Sequence, residues 1–176
     1  TLTETVYFSA CGRDLECNPY YEKVYRVQLD GRGLVCLTPE DSQHDVLPLT
    51  SSVPILPANP KARGFSPTGE TFVDTISRID QPSRSVLRSS QDGAVLMTLS
   101  HCDSGDNGLL ADNPYKPPLS FTAKGADGVT DLWGVMYRPS DFDQTRRYPV
   151  VLCIYGTPHE CITPKRFGQT SSSVRD

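Results

Sequence analysis

Short stretches of alternating apolar and polar residues, separated by turns rich in Gly, Pro and Asp, run through the first hundred residues. A period of two is typical of β-strands that bury one face. The turns contain Asp30-Gly31 and Asp92-Gly93, and Asp-Gly favours tight hairpins. The pattern therefore predicts antiparallel β structure with few long helices. Strands are predicted at residues 5–10, 23–29, 34–37, 71–77, 85–88 and 94–99.

The spacing of these strands is compatible with a sandwich, a barrel or the blades of a propeller. The order of the turns favours the propeller. A hairpin around Asp30-Gly31 is followed by the turn Ser66-Pro-Thr-Gly69 and a new strand, as when one blade passes to the next. Residues 47–63 carry four prolines, which argue against regular pairing and predict a surface loop.

A polar, Gly- and Pro-rich linker precedes residue 115 and predicts a domain boundary there, with one domain at 1–114 and a second at 115–176. The second domain is predicted to begin with strands at 119–124, 130–137 and 148–155. The last of these is apolar at consecutive positions, which is typical of a strand covered on both faces. Cys153 lies within it and is predicted to be a small buried apolar residue.

Composition narrows the classes of partner. The net charge is −4 and the sequence has no block of basic residues, which argues against nucleic acid as a binding partner. No apolar run approaches the roughly 18 residues of a spanning helix, so no membrane segment is predicted. Six cysteines are present without C-x2-C spacing, and neither a metal site nor a cofactor is predicted. Cys11 and Cys17 flank one loop, and their spacing leaves open both a disulfide and two free thiols.

Several motifs follow one another along the chain: Phe65-Ser-Pro-x-Gly69, Phe72-Val-Asp-Thr-x-Ser77, Gln81-Pro-Ser83, Tyr137-Arg-Pro139 and Tyr148-Pro-Val-Val-Leu-x-Ile-Tyr-Gly-x-Pro-His159. In this order they resemble the prolyl oligopeptidase family of serine peptidases, and within it the dipeptidyl peptidase IV-like branch. The resemblance implies a mainly β chain: incomplete β-propeller blades followed by the first strands of an α/β-hydrolase domain.

The implied activity is that of an exopeptidase that releases dipeptides from peptide N-termini after Pro or Ala. The implied partners are peptide substrates and a second copy of the chain in a homodimer. In that family the catalytic Ser, Asp and His follow the strand that ends at Tyr155. This chain contains no Gly-x-Ser-x-Gly nucleophile elbow. It is therefore expected to be a fragment that is inactive by itself.

One site residue remains by resemblance. Tyr155 matches the tyrosine whose hydroxyl stabilises the oxyanion, and the alternative is a tyrosine that only packs at a strand end. Thr157 stands where the family usually has Gly. Ser66 has the wrong spacing for a nucleophile, and His44, His101 and His159 have no serine elbow to serve. Residues 160–176 match no part of the family. A different functional class, a non-catalytic propeller-like module that binds proteins, stays open.

Overall fold

The structure is a computed structural model that describes residues 4–46, 64–102, 117–154 and 162–168. These ranges contain nine strands and no helix, which confirms the prediction of a mainly β chain. No helix in them has the length and hydropathy to cross a membrane. The predicted boundary near residue 115 and the proline-rich loop at 47–63 lie outside the described ranges. The strands are β1 Thr5–Ala10, β2 Lys23–Gln28, β3 Val35–Cys36, β4 Gln43–Asp45, β5 Thr71–Arg78, β6 Gln81–Ser89, β7 Val95–His101, β8 Leu119–Lys124 and β9 Asp131–Met136.

The first sheet has the order β1-β2-β3 and is antiparallel throughout. The predicted Asp-Gly turn connects β2 to the return strand. There the amide of Gly31 donates to the carbonyl of Gln28 at 2.8 Å, and Gly31 has a φ of 83°. A residue with a Cβ rarely adopts this left-handed conformation, which explains the glycine.

The second sheet is a four-stranded meander with the order β4-β5-β6-β7, again antiparallel. Two of its features were not predicted. Strand β4 is a short, polar strand on which no apolar alternation was visible. Strand β6 begins at Gln81, because β5 turns back through a tight connection in which Arg78 pairs with Gln81. Strand β7 lies at the open edge, and all seven of its residues are exposed.

The first and second sheets share one hydrophobic core. Val24 of β2, Leu37, Val46 and Phe72 of β5 are fully buried and pack together. The rings of Tyr7 and Phe65 extend this core: the Tyr7 and Phe65 centroids lie 4.9 Å apart, and those of Phe65 and Phe72 lie 5.2 Å apart. Burial of such side chains from water is the main stabilising contribution.

The third sheet is the hairpin of β8 and β9, which the sequence pattern predicts. Phe121 faces Gly134 across the hairpin, and its ring fills the space beside the glycine, where a Cβ would lie 2.5 Å from a ring carbon. The glycine therefore accommodates the ring, which accounts for a residue that usually weakens strands.

The strand predicted at 148–155 is wrong for residues 148–154, which form no strand. Val150, Val151, Leu152 and Ile154 are between 77% and 91% exposed. Cys153 is exposed as well, so the prediction of a buried thiol is also wrong. The consecutive apolar residues indicate a segment suited to a two-sided cover, but burial requires neighbouring strands, and none of the described strands pairs with this segment.

Candidate functional site

Four charged or ionisable side chains meet on one face of the second sheet, and we call them the charged cluster. They are Glu40 from the loop before β4, His44 of β4, Asp74 of β5 and Arg88 of β6. The side chains of His44 and Asp74 are 0% exposed and that of Arg88 is 2% exposed. Charged side chains are rarely buried so completely unless they are paired.

Arg88 holds the cluster together through three donors. Its Nε donates to Asp74 Oδ2 at 2.8 Å, its Nη2 to Glu40 Oε1 at 2.6 Å and its Nη1 to the carbonyl of Gly93 at 2.9 Å. Burial raises the pKa of Glu40, but the hydrogen bond from Arg88, a backbone hydrogen bond and the charge of Arg88 together outweigh burial, so that the pKa lies below its usual value. Arg88 therefore ties together β5, the loop before β4 and the turn at Gly93.

His44 and Asp74 superficially have the arrangement of a catalytic base and its orienting carboxylate. His44 Nδ1 lies 2.9 Å from Asp74 Oδ2. The other ring nitrogen, Nε2, lies 3.3 Å from the carbonyl oxygen of Glu40. A catalytic base needs a nitrogen within reach of the proton that it removes. Both nitrogens of His44 face protein oxygens and the side chain is inaccessible, so the pair is built for structure and not for proton transfer to a substrate.

The cluster also leaves two carboxylate oxygens without a hydrogen-bond partner among the described residues. They are Asp74 Oδ1 and Glu40 Oε2, and both are buried. Unsatisfied buried acceptors cost free energy, and in this network the nearby positive charge of Arg88 offsets part of that cost. The cluster is thus sensitive to the loss of any one member.

Sequence reasoning missed this cluster, although one signal was present. The alternation in β5 places Asp74 on the same face as Phe72 and Ile76, and both of these are buried. A carboxylate between two core positions on one strand face requires a buried cationic partner. That signal identifies Asp74 as buried and paired, but it does not identify Arg88.

A second group of polar side chains, centred on Lys23, holds the loop that contains Cys11 and Cys17 in place. Lys23 is only 4% exposed in its side chain, and its Nζ donates to Asp14 Oδ2 at 2.9 Å, to Cys17 Sγ at 3.1 Å and to the carbonyl of Pro39 at 2.9 Å. Both Cys11 and Cys17 are free thiols, which decides between the two alternatives left by the sequence.

The electrostatics of this group follow from its hydrogen bonds. The bond from Lys23, followed by that from the Cys17 thiol, lowers the pKa of Asp14 to about 2. Burial raises the pKa of the Cys17 thiol, and the hydrogen bond from Lys23 offsets only part of this effect. A cysteine that stays a neutral thiol is a poor nucleophile, so the group serves to fix the loop to β2.

Of the candidate catalytic residues considered from the sequence, the three that the structure describes, Ser66, His44 and His101, lie in different parts of the fold. Tyr155, Thr157 and His159 lie outside the described residues. Ser66 is part of its own turn, where its Oγ accepts a hydrogen bond from the amide of Thr71 at 3.2 Å. His101 ends β7 at the exposed edge. Within the ranges that the structure covers, no group of His, Cys, Asp and Glu could hold a metal ion.

Comparison with known proteins relates part of the chain to a class of enzymes, the dipeptidyl peptidases. A stretch of 53 residues is 40% identical to dipeptidyl peptidase 8 of Mus musculus, and the same values hold for dipeptidyl peptidase 8 of Homo sapiens. The stretch makes up 30% of this chain and spans only 6% of the length of each relative. No family model matches the chain.

Proposed function

We propose that this chain is a section of a dipeptidyl peptidase-like serine exopeptidase, with the end of a β-propeller at 1–114 and the start of an α/β-hydrolase domain at 115–176. The observation that carries the proposal is the 40% identity over 53 residues to dipeptidyl peptidase 8. The complete enzyme would release dipeptides from peptide N-termini after Pro or Ala.

The four-stranded meander supports the propeller part of this proposal. Propeller blades are four-stranded antiparallel sheets, and the order β4-β5-β6-β7 has that form. The first sheet packs against the meander through Val24, Phe72 and their neighbours, as successive blades do. The hairpin β8–β9 precedes the apolar run that ends next to Tyr155, in agreement with the proposed start of a second domain.

Tyr155 is the residue to which we assign a role in that enzyme. Its phenol would donate a hydrogen bond to the oxyanion that forms when a peptide bond is attacked. One such donor contributes about 3–4 kcal/mol, whereas enzymes typically lower barriers by about 8–23 kcal/mol. Tyr155 therefore assists a Ser-Asp-His triad that has to come from elsewhere in the protein.

The proposal is tested on the longer protein that includes the sequence downstream of this chain. We expect Tyr155→Phe to lower kcat by roughly 10²–10³ and to change KM little, because the hydroxyl acts only on the transition state. Tyr148→Phe is the matched control. The Tyr148 hydroxyl accepts a hydrogen bond from the amide of Asp143 at 3.0 Å, so removing it should leave kcat unchanged.

A second measurement separates the role of Tyr155 from the function of the whole protein. A fluorophosphonate probe should label one serine in the longer protein. If the probe labels a serine but Tyr155→Phe keeps a near-normal kcat, the protein is a peptidase in which Tyr155 serves only for packing. Absence of any labelled serine would reject the peptidase and favour the non-catalytic binding module.

A further inference from the structure

A short segment near the end of the chain is seated on the second sheet. Residues 162–168 are separated from β4 by more than a hundred positions, yet Arg166 forms a two-pronged ion pair with Asp45. Arg166 Nε donates to Asp45 Oδ2 at 2.6 Å, and Nη2 donates to Asp45 Oδ1 at 2.5 Å. This fork geometry is the strong and directional form of an arginine–carboxylate contact.

The backbone of the segment is held as well. The amide of Phe167 donates to Ser77 Oγ at 3.0 Å. Ser77 is 3% exposed, and its hydroxyl oxygen also accepts a hydrogen bond from Ser83 Oγ at 3.2 Å. Recognition thus combines a charged side chain with the main chain of the next residue, and the second contact does not depend on the identity of that residue.

The receiving surface is built from regular strands and not from a loop. Asp45 pairs with Thr75 and Gln43 pairs with Ser77 in the register of β4 and β5, so Asp45 and Ser77 lie on the same face of the sheet. Strand backbones hold side chains in fixed directions, which gives a preorganised acceptor set. The side chains of Asp45 and Arg166 are 26% and 28% exposed, so the pair lies at a surface that a partner could enter.

The charges around Arg166 also favour a positively charged occupant at this surface. Glu22 adds a second negative charge near Arg166, and both this charge and the hydrogen bonds to Asp45 favour a cation at this position. The segment itself carries Lys165 and Arg166 next to each other in a chain whose net charge is −4. A basic peptide is therefore the ligand that the surface is suited to bind.

We propose that Asp45 and Ser77 form a recognition site for a basic peptide that contains an arginine, and that residues 162–168 occupy this site as a tethered ligand. A ligand on the same chain as its site competes with free peptide through an intramolecular contact, which raises its effective concentration. A free peptide of the same sequence should bind well only after the tethered copy has been disabled.

The test uses the full chain and a fluorescent peptide with the sequence of residues 162–168, Ile-Thr-Pro-Lys-Arg-Phe-Gly. We expect saturable binding to the Arg166→Ala chain, at least tenfold weaker binding to the unaltered chain, and at least tenfold weaker binding of a peptide in which Ala replaces the arginine. Asp45→Asn in the Arg166→Ala chain should lower the affinity by at least tenfold. Absence of saturable binding up to millimolar peptide, or equal binding after Asp45→Asn, would overturn the proposal.

Amide exchange provides a readout that does not depend on the Arg166→Ala chain. In the otherwise unaltered chain, Asp45→Asn should speed exchange of the Phe167 amide by about tenfold or more, because the segment is released. The amide of Val73, which donates to the carbonyl of Gly64 at 2.8 Å within the same fold, should keep its rate and shows that the sheet is intact. An unchanged Phe167 rate would show that Asp45 does not hold the segment.

Discussion

Replacing Arg88 by methionine tests the role of the charged cluster most directly. Methionine keeps much of the length and apolar volume of the arginine stem but removes the guanidinium. Asp74 would remain 0% exposed, with His44 as its hydrogen-bonding partner, and Glu40 and the carbonyl of Gly93 would lose their donor. The substitution therefore leaves a buried carboxylate with too few compensating charges.

The expected effect is large. Removal of one partner from a buried ion pair costs about 3–5 kcal/mol, and whole domains are stable by only about 5–15 kcal/mol. At about 1.4 kcal/mol per factor of ten, the loss corresponds to a change of two to three and a half powers of ten in an opening equilibrium. The second sheet should open that much more often, since Arg88 connects it to the loop before β4.

Hydrogen exchange of the full chain, followed by mass spectrometry on peptides from β5 and β6, measures this opening locally. Arg84→Met is the matched control because it lies on the same strand but is exposed, and it should change exchange by no more than about a factor of two, as surface substitutions do. The double variant Asp74→Leu with Arg88→Met should be less destabilised than Arg88→Met, because the buried charge is removed together with its partner. Exchange in Arg88→Met within tenfold of the Arg84→Met control would refute the assignment of the cluster as a structural lock.

Three further predictions follow from particular residues. Gly93→Ala should be more destabilising than Gly31→Ala in denaturant titrations. Both glycines have a positive φ, but a Cβ at Gly93 would lie 2.2 Å from the carbonyl oxygen of Leu37, whereas a Cβ at Gly31 would have nothing within 4 Å. Equal losses of stability in the two variants would reject this steric argument. Because the folded-state pKa of Glu40 is below 4.5, its contribution to stability should be complete above pH 4.5 and be lost as the pH falls through the lower folded pKa. Urea titrations across this range should show a loss of unfolding free energy at low pH, and this loss should be smaller in Glu40→Gln. The chain by itself should hydrolyse no proline-type dipeptide substrate above background, since its sequence has no Gly-x-Ser-x-Gly motif, and stoichiometric labelling of a serine by a fluorophosphonate would contradict this.

Local pattern was sufficient for most of the strands. The alternation in β1, β2 and β5 and the Asp-Gly turn after β2 predict their elements because both signals depend on residues that are close together in the chain. The hairpin of β8 and β9 was predicted for the same reason. Strand β4 was missed, because Gln43–Asp45 has no apolar alternation and becomes a strand by pairing with β5.

The candidate sites depend far more on tertiary structure. Alternation alone places Asp74 among buried neighbours, but its partner Arg88 is fourteen positions away and Glu40 belongs to a different loop. Arg166 and Asp45 are 121 positions apart, and no local pattern connects them. The apolar residues at 150–154 show the opposite case, because their composition predicted burial that no described strand provides. The sequence by itself determined where strands and turns form, since these follow from local periodicity and turn chemistry; the tertiary structure decided which charges are buried and paired, since this depends on which distant strands meet.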